Sequence, residues 1–172
     1  GVVADVVASG AGDLIHAVIV ATPATAHYDV TRRALLAGKH VLVEKPLTTV
    51  TDEGLELVAL AERLGLTFSV GHTFLHNAAV EKMREYIASG QIGDLHYLYS
   101  RRTNLGPIRQ DVSAFWDLAP HDVSIFNYLT QSHISAKNTA RLRRLAASSN
   151  QEVAELAAIV IEVAQVKPYK RR

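Results

Sequence analysis

The chain is expected to fold as an α/β protein around a small parallel sheet, and three features of its sequence point that way. Ala17-Val-Ile-Val-Ala21 is a short, uninterrupted apolar run rich in β-branched residues, the pattern of a strand buried on both faces, and His40-Val-Leu-Val43 and Thr67-Phe-Ser-Val70 read the same way. They recur about every 25 residues. The stretches between them carry helical periodicity. Crossovers of that length favour right-handed connections and parallel pairing.

The first connecting helix is read over Ala26–Gly38, with Tyr28, Val30, Ala34 and Leu35 at helical spacing and Gly38 as its stop. The second covers Thr51–Gly65. Thr51 suits the N-cap, Asp52 and Glu53 suit the positive helix start, and Leu55, Leu57, Val58, Leu60 and Ala61 form the buried stripe. In sheets of this type ligands sit at the carboxyl ends of the strands. The loops beginning at Thr22, Glu44 and Gly71 therefore form the expected functional edge.

Ala78–Ser89 reads as a further amphipathic helix, with Val80, Met83 and Ile87 apolar and Gly90 and Gly93 at its exit. Leu95–Tyr99 reads as a strand. Trp116–Leu129 reads as a helix with Pro120 in its first turn. Residues 107–172 contain no glycine. Within them Ala136–Ser148 and Gln151–Val166 read as helices, and Ser149-Asn-Gln-Glu152 forms a capping box before the second. Ile159–Val163 also fits a buried strand.

Composition narrows the function classes. The 172 residues are 48% hydrophobic and 20% charged, an ordinary globular balance. Cysteine is absent, which excludes disulfides, thiolate metal sites and cysteine nucleophiles. No apolar run approaches the roughly 20 residues that span a bilayer. A cytoplasmic setting without membrane contact is the expectation. The net charge of +1 conceals a split: residues 1–130 hold 10 Lys+Arg against 14 Asp+Glu, and residues 131–172 hold 8 against 3. The basic tail has one aromatic, Tyr169, and no interleaved stacking residues. It is read as a solvated helix face, and no nucleic-acid partner is expected.

Several residues carry candidate chemistry. A lysine at a sheet's carboxyl edge, such as Lys45, can hold a hydroxyl oxygen and take up its proton; it can equally point into water. Asp117 and His121 lie about one helical turn apart, which puts them on one face. Pro120 places His121 near a positive helix end, a field that favours the neutral ring. The bland alternative is an aspartate N-cap beside a surface histidine. Asp122 is expected to support the helix start. His72 and His76 have the spacing of a helical metal pair, but no third ligand is evident and Gly71 argues for a loop, so no metal site is expected. Neither a Ser-His-Asp signature nor a Walker loop occurs.

Val18-Ile-Val-Ala-Thr-Pro23 followed by His27, then Gly38-Lys-His-Val-Leu-Val-Glu-Lys-Pro-Leu47, resembles the glucose–fructose oxidoreductase/inositol dehydrogenase/MocA family. Gly71-His-Thr-Phe74, Asn104-Leu-Gly106 and Trp116-Asp-Leu-Ala-Pro-His-Asp122 are similar to its sugar or nucleotide-sugar branches. The resemblance covers residues 1–130. It implies a partial Rossmann-type sheet with flanking helices over 1–73, the start of an α+β substrate domain over 74–130, and an atypical helical tail over 131–172.

By the same resemblance, Lys45, Asp117 and His121 are the catalytic set, and the Lys45–Pro46 bond is often cis. Thr22, Pro23, His27, Glu44, Lys45 and Pro46 line the cofactor, NAD or NADP. Asn104, Arg109 and Asp111 contact substrate, with Arg109 suited to a phosphate or carboxylate. The implied reaction oxidises a secondary alcohol of a sugar or nucleotide sugar by hydride transfer. The expected Gly-x-Gly-x-x-Gly turn is not found. Gly10-Ala-Gly12 has no third glycine and reads as a loop, and no acidic residue selects NAD over NADP. A chain truncated at its front is one expectation, and a non-catalytic remnant serving as a binding module is the alternative. A sheet short of its first strands would expose an edge that invites homo-oligomer formation or aggregation.

Overall fold

The computed structural model describes residues 14–103 and 112–130, together with positions 144, 147 and 149. The segment containing Gly10-Ala-Gly12, the substrate candidates Asn104, Arg109 and Asp111, and nearly all of the tail lie outside the described residues. The described chain divides into two units, one ending at Gly71 and the other beginning at His72.

The first unit holds β1 (Ala17–Val20), α1 (His27–Leu36), β2 (His40–Val43), α2 (Thr51–Leu64) and β3 (Phe68–Val70). The strands form one parallel sheet in the order β1-β2-β3. Val20 pairs with Val43 and Val43 with Val70, so the three strands end level with one another. Glu44 N–H donates to the Val20 carbonyl at 2.9 Å, and Gly71 N–H donates to the Val43 carbonyl at 2.8 Å. These bonds carry the ladder one residue past each strand end and bring the three following loops to one edge.

The core lies on one face of this sheet. Val20, Val41, Val43 and Val70 pack with Ala34 and Leu35 of α1 and with Leu57, Leu60 and Ala61 of α2. Full burial of a side chain of this size stabilises by about 1.5–3 kcal/mol. Both helices cover that face, and the expected burial on both faces is not what the structure shows. Ile19 is 71% exposed and its pairing partner Leu42 is 40% exposed. The alternation of exposed and buried residues in β2 is that of a sheet packed on one side.

Helix ends follow simple backbone chemistry. Gly65, just past α2, has φ 65°, the left-handed cap that costs glycine nothing. Gly38, two residues past α1, has φ 72°. Thr51, expected as the N-cap of α2, is instead its first helical residue; Val50 occupies the cap position without a side-chain bond. Thr48, one turn earlier, donates to the Val50 carbonyl at 2.6 Å and orders the approach to the helix. On the outer side, Glu56 of α2 accepts from the Tyr28 hydroxyl at 2.7 Å and from Arg32 Nε at 3.1 Å. These two bonds hold its carboxyl below the usual carboxylate range. The groups are exposed, so the link adds little stability.

The second unit contains a 3₁₀ turn (Thr73–His76), α3 (Ala78–Ala88) and α4 (Ala114–Thr130). Asn77 Oδ1 caps α3 by accepting from Ala79 N–H at 2.9 Å. Ser113 Oγ caps α4 by accepting from Trp116 N–H at 3.1 Å. Arg84 of α3 lies 4.3 Å from the ring centroid of Tyr128 of α4. One expectation is corrected here. Leu95–Tyr99 takes no strand pairing among the described residues, and Tyr97 and Tyr99 are exposed; alternation alone does not make a strand without a ladder partner. In α3 only Val80 is fully buried, while Met83 is 44% exposed.

Candidate active site

Three loops meet at the carboxyl edge of the sheet. The first follows β1 through Thr22 and Pro23, the second follows β2 through Glu44, Lys45 and Pro46, and the third begins at Gly71. Thr22, Pro23 and Glu44 are exposed there and Lys45 is half-buried. The Lys45–Pro46 peptide bond is cis. Immediately after it, Leu47 and Thr48 are buried to 1% exposure. Gly54 in the first turn of α2 lets that helix approach them closely: a Cβ at Gly54 would lie 3.3 Å from both Leu47 Cδ2 and Thr48 Oγ1.

Glu44 and Gly71 are as close. A Cβ added at Gly71 would meet both carboxylate oxygens of Glu44 at 3.2 Å. The Glu44 side chain therefore leans over the β3 loop while remaining exposed, where it can meet a polar ligand.

His27 and Pro46 lie beneath this surface. His27 is 1% exposed, with Nδ1 2.7 Å from the Pro46 carbonyl oxygen and Nε2 2.8 Å from the Thr22 carbonyl oxygen. Of the six residues expected along the cofactor, these two have their side chains turned into the protein, and they shape the loops on which the other four stand. His27 was expected along the loop after β1; the structure makes it the first residue of α1, and the sequence held no sign of its burial.

The second unit carries the other expected groups. Asp117 and His121 share α4, one turn apart. The helix begins at Ala114, so His121 sits in its interior, and the expected helix-end field does not act on it. Ser113 rather than Asp117 is the cap. Pro120 is likewise inside the helix. The Phe74 ring meets His121 edge-on at 4.8 Å between centroids and 73° between planes.

Asp122 does not support a helix start, as the sequence suggested. It accepts from Ser100 Oγ at 2.7 Å and from Arg102 Nε at 2.9 Å, tying the 100–102 segment to α4. Arg102 also lies 4.9 Å from the Phe74 ring centroid, completing a chain from Asp122 through Arg102 and Phe74 to His121. Nothing in the sequence singled out Arg102.

His72 and His76 form no helical pair. His72 precedes a 3₁₀ turn and is buried, while His76 is the last residue of that turn and is exposed. His72 is 6% exposed, and neither of its ring nitrogens has a hydrogen-bond partner among the described residues. Burial, with a smaller contribution from His121, pushes it down to about 4, so at neutral pH it is an uncharged ring. Among the described residues no helix is long and apolar enough to cross a membrane.

The expected catalytic trio is thus divided between units, with Lys45 in the first and Asp117 and His121 in the second. The open edge of the first unit fits a dinucleotide in kind: exposed Thr22 and Glu44 offer polar contacts, and half-buried Lys45 offers a cation at the end of a parallel strand.

Comparisons with known proteins agree with this geometry. Residues 3–72 match the model of the GFO/IDH/MocA oxidoreductase family, described as having an NAD-binding Rossmann fold. A dTDP-3,4-didehydro-2,6-dideoxy-alpha-D-glucose 3-reductase from Streptomyces violaceoruber is 39% identical over 49% of this chain and 25% of its own length. A UDP-N-acetylglucosamine 3-dehydrogenase from Acidithiobacillus ferrooxidans is 31% identical over 67% of this chain and 36% of its own. The crystal structure of an inositol dehydrogenase homolog from Azotobacter vinelandii, complexed with NADH and myo-inositol, superposes with a TM-score of 0.50 at 34% identity. That match covers 54% of this chain and 25% of the homolog. The chain therefore spans between a quarter and a little over a third of these relatives. Together the matched motifs and the parallel sheet place residues 3–72 of the chain in the GFO/IDH/MocA oxidoreductase family.

Proposed function

We propose that the chain is the catalytic-edge portion of an NAD(P)-dependent oxidoreductase that oxidises a secondary alcohol of a sugar or nucleotide sugar. One observation carries this reading: the half-buried Lys45 stands just past the end of β2, the central strand, between the loops that follow β1 and β3. The relatives' names support the substrate class, since two of them act on nucleotide sugars and a third was solved with NADH and myo-inositol.

A bound nicotinamide supplies the hydride acceptor. Thr22, Pro23 and Glu44 would line it, and Lys45 would hold the reacting hydroxyl oxygen. Lys45 or His121 would take the hydroxyl proton, and Asp117 would orient the ring or a neighbouring hydroxyl. The contribution of these residues is placement and proton transfer. Asn104, Arg109 and Asp111 complete the reading as substrate contacts, Arg109 toward a phosphate. The partner is a small-molecule sugar, the setting cytoplasmic, and assembly as a homo-oligomer belongs to the same proposal.

Incubating the chain with NAD or NADP and a panel of sugars and nucleotide sugars, while following absorbance of the reduced nicotinamide, tests the reading. Turnover that Lys45→Ala reduces by about a thousandfold supports it. Cofactor binding without turnover would leave a binding module, and absence of both would favour the non-catalytic alternative.

A further inference from the structure

We propose that His27 is a positioning residue: its imidazole tethers the Lys45–Pro46 loop to the β1 loop and so sets where Lys45 stands. The proposal rests on the reading of Lys45 given above, but its geometry is independent of that reading. His27 is the first residue of α1, and its side chain reaches back over the turn that precedes the helix. There it lies between two backbone carbonyls, 2.7 Å from that of Pro46 and 2.8 Å from that of Thr22.

The Thr22 carbonyl belongs to the β1 loop. The Pro46 carbonyl belongs to the residue directly after Lys45, 19 positions along the chain from His27. A residue that only filled this 1%-exposed space would be apolar. The imidazole instead supplies polar atoms at both ends. Carbonyl oxygens only accept, so each contact is a hydrogen bond when the facing ring nitrogen carries a hydrogen. A neutral ring carries one N–H and donates to one of the two carbonyls, whereas the imidazolium donates to both; removing the ring would leave the buried Pro46 carbonyl and the part-buried Thr22 carbonyl without that donor. The same loop also packs on α2, where Gly54 abuts Leu47 and Thr48.

The two arms can be cut separately. In His27→Asn the amide nitrogen falls near the place of Nδ1 and keeps the Pro46 arm. In His27→Gln it falls near the place of Nε2 and keeps the Thr22 arm. His27→Leu removes both at similar volume.

The test uses the full chain and reads amide chemical shifts and hydrogen exchange at Glu44, Lys45, Leu47 and Thr48, with circular dichroism to establish folding. Expected is a near-native loop in His27→Asn. In His27→Gln and His27→Leu the shifts should move, and exchange at Leu47 and Thr48 should quicken about tenfold, the effect of losing one buried hydrogen bond. Equal disturbance by His27→Asn and His27→Gln would overturn the proposal, as would a native loop in His27→Leu. If His27→Leu does not fold, the other pair decides alone. Failure of both polar variants to fold would make the ring a core element and also overturn it. A chain that binds no nicotinamide yet shows the expected loop pattern would refute the function while leaving the tether standing.

Discussion

The carboxylate of Glu44 rests against the backbone of Gly71, so close that a Cβ there would meet Oε1 and Oε2 at 3.2 Å. Gly71→Ala must therefore push the carboxylate aside by a few tenths of an ångström. Glu44 is exposed and can yield. The expected change in stability is within about 0.5 kcal/mol, measured by chemical denaturation. Affinity for a reduced nicotinamide should fall roughly threefold to tenfold, because the displaced group is one of the proposed cofactor contacts. Unchanged affinity would detach Glu44 from the cofactor.

Gly54 lies against side chains that cannot move. Alanine gains about 1 kcal/mol of helix propensity over glycine, but its Cβ would press on Leu47 and Thr48 at 3.3 Å, both 1% exposed. Overpacking of this kind costs about 1–3 kcal/mol. Gly54→Ala should thus destabilise by about 1 kcal/mol, seen as a lower denaturation midpoint at constant slope. A more stable Gly54→Ala would show that the loop after Pro46 is loosely held.

The two faces of β1 should respond differently. Val20 is 1% exposed and Ile19 is 71% exposed. Val20→Ala is expected to cost about 2–3 kcal/mol, whereas Ile19→Thr should change stability by less than about 0.5 kcal/mol. Similar losses at both sites would mean that the second face of the sheet is covered in solution.

Much of the first unit was readable because its signals are local. Three apolar runs, glycines at helix stops and acids in the first turn of α2 each act within a few residues. Burial on both faces was misread for β1 because Val18-Ile-Val looks the same whether Ile19 is covered or bare. His27, Glu44 and Lys45 were marked by motif, but the ring's place between two carbonyls depends on a contact 19 residues away. His121 was misplaced because Pro120 usually opens a helix, while here Ser113 caps it about two turns earlier. The Arg102–Asp122 pair joins segments 20 residues apart and has no local signature at all.

His72 gives a pH dependence with a definite sign. Its pKa falls from 6.5 to about 4 on folding, chiefly through burial, so the unfolded chain binds the proton more readily. The stabilising effect of the neutral ring is complete above pH 6.5 and is lost as pH falls toward 4. The loss is on the order of 3 kcal/mol at most. His72→Asn should flatten the wild-type decline in unfolding free energy between pH 6.5 and 4. Parallel curves for the two proteins would sink this account of the buried ring.

The central claim, that the carboxyl edge of the first unit receives a nicotinamide dinucleotide, is tested most directly by titrating the full chain with NADH while following its backbone amide resonances. Saturable shifts concentrated at Thr22, Glu44, Lys45 and Gly71, and abolished by Lys45→Ala in a variant that remains folded, are the predicted result. No saturable shift at these four residues, or shifts confined to residues 131–172, would contradict it.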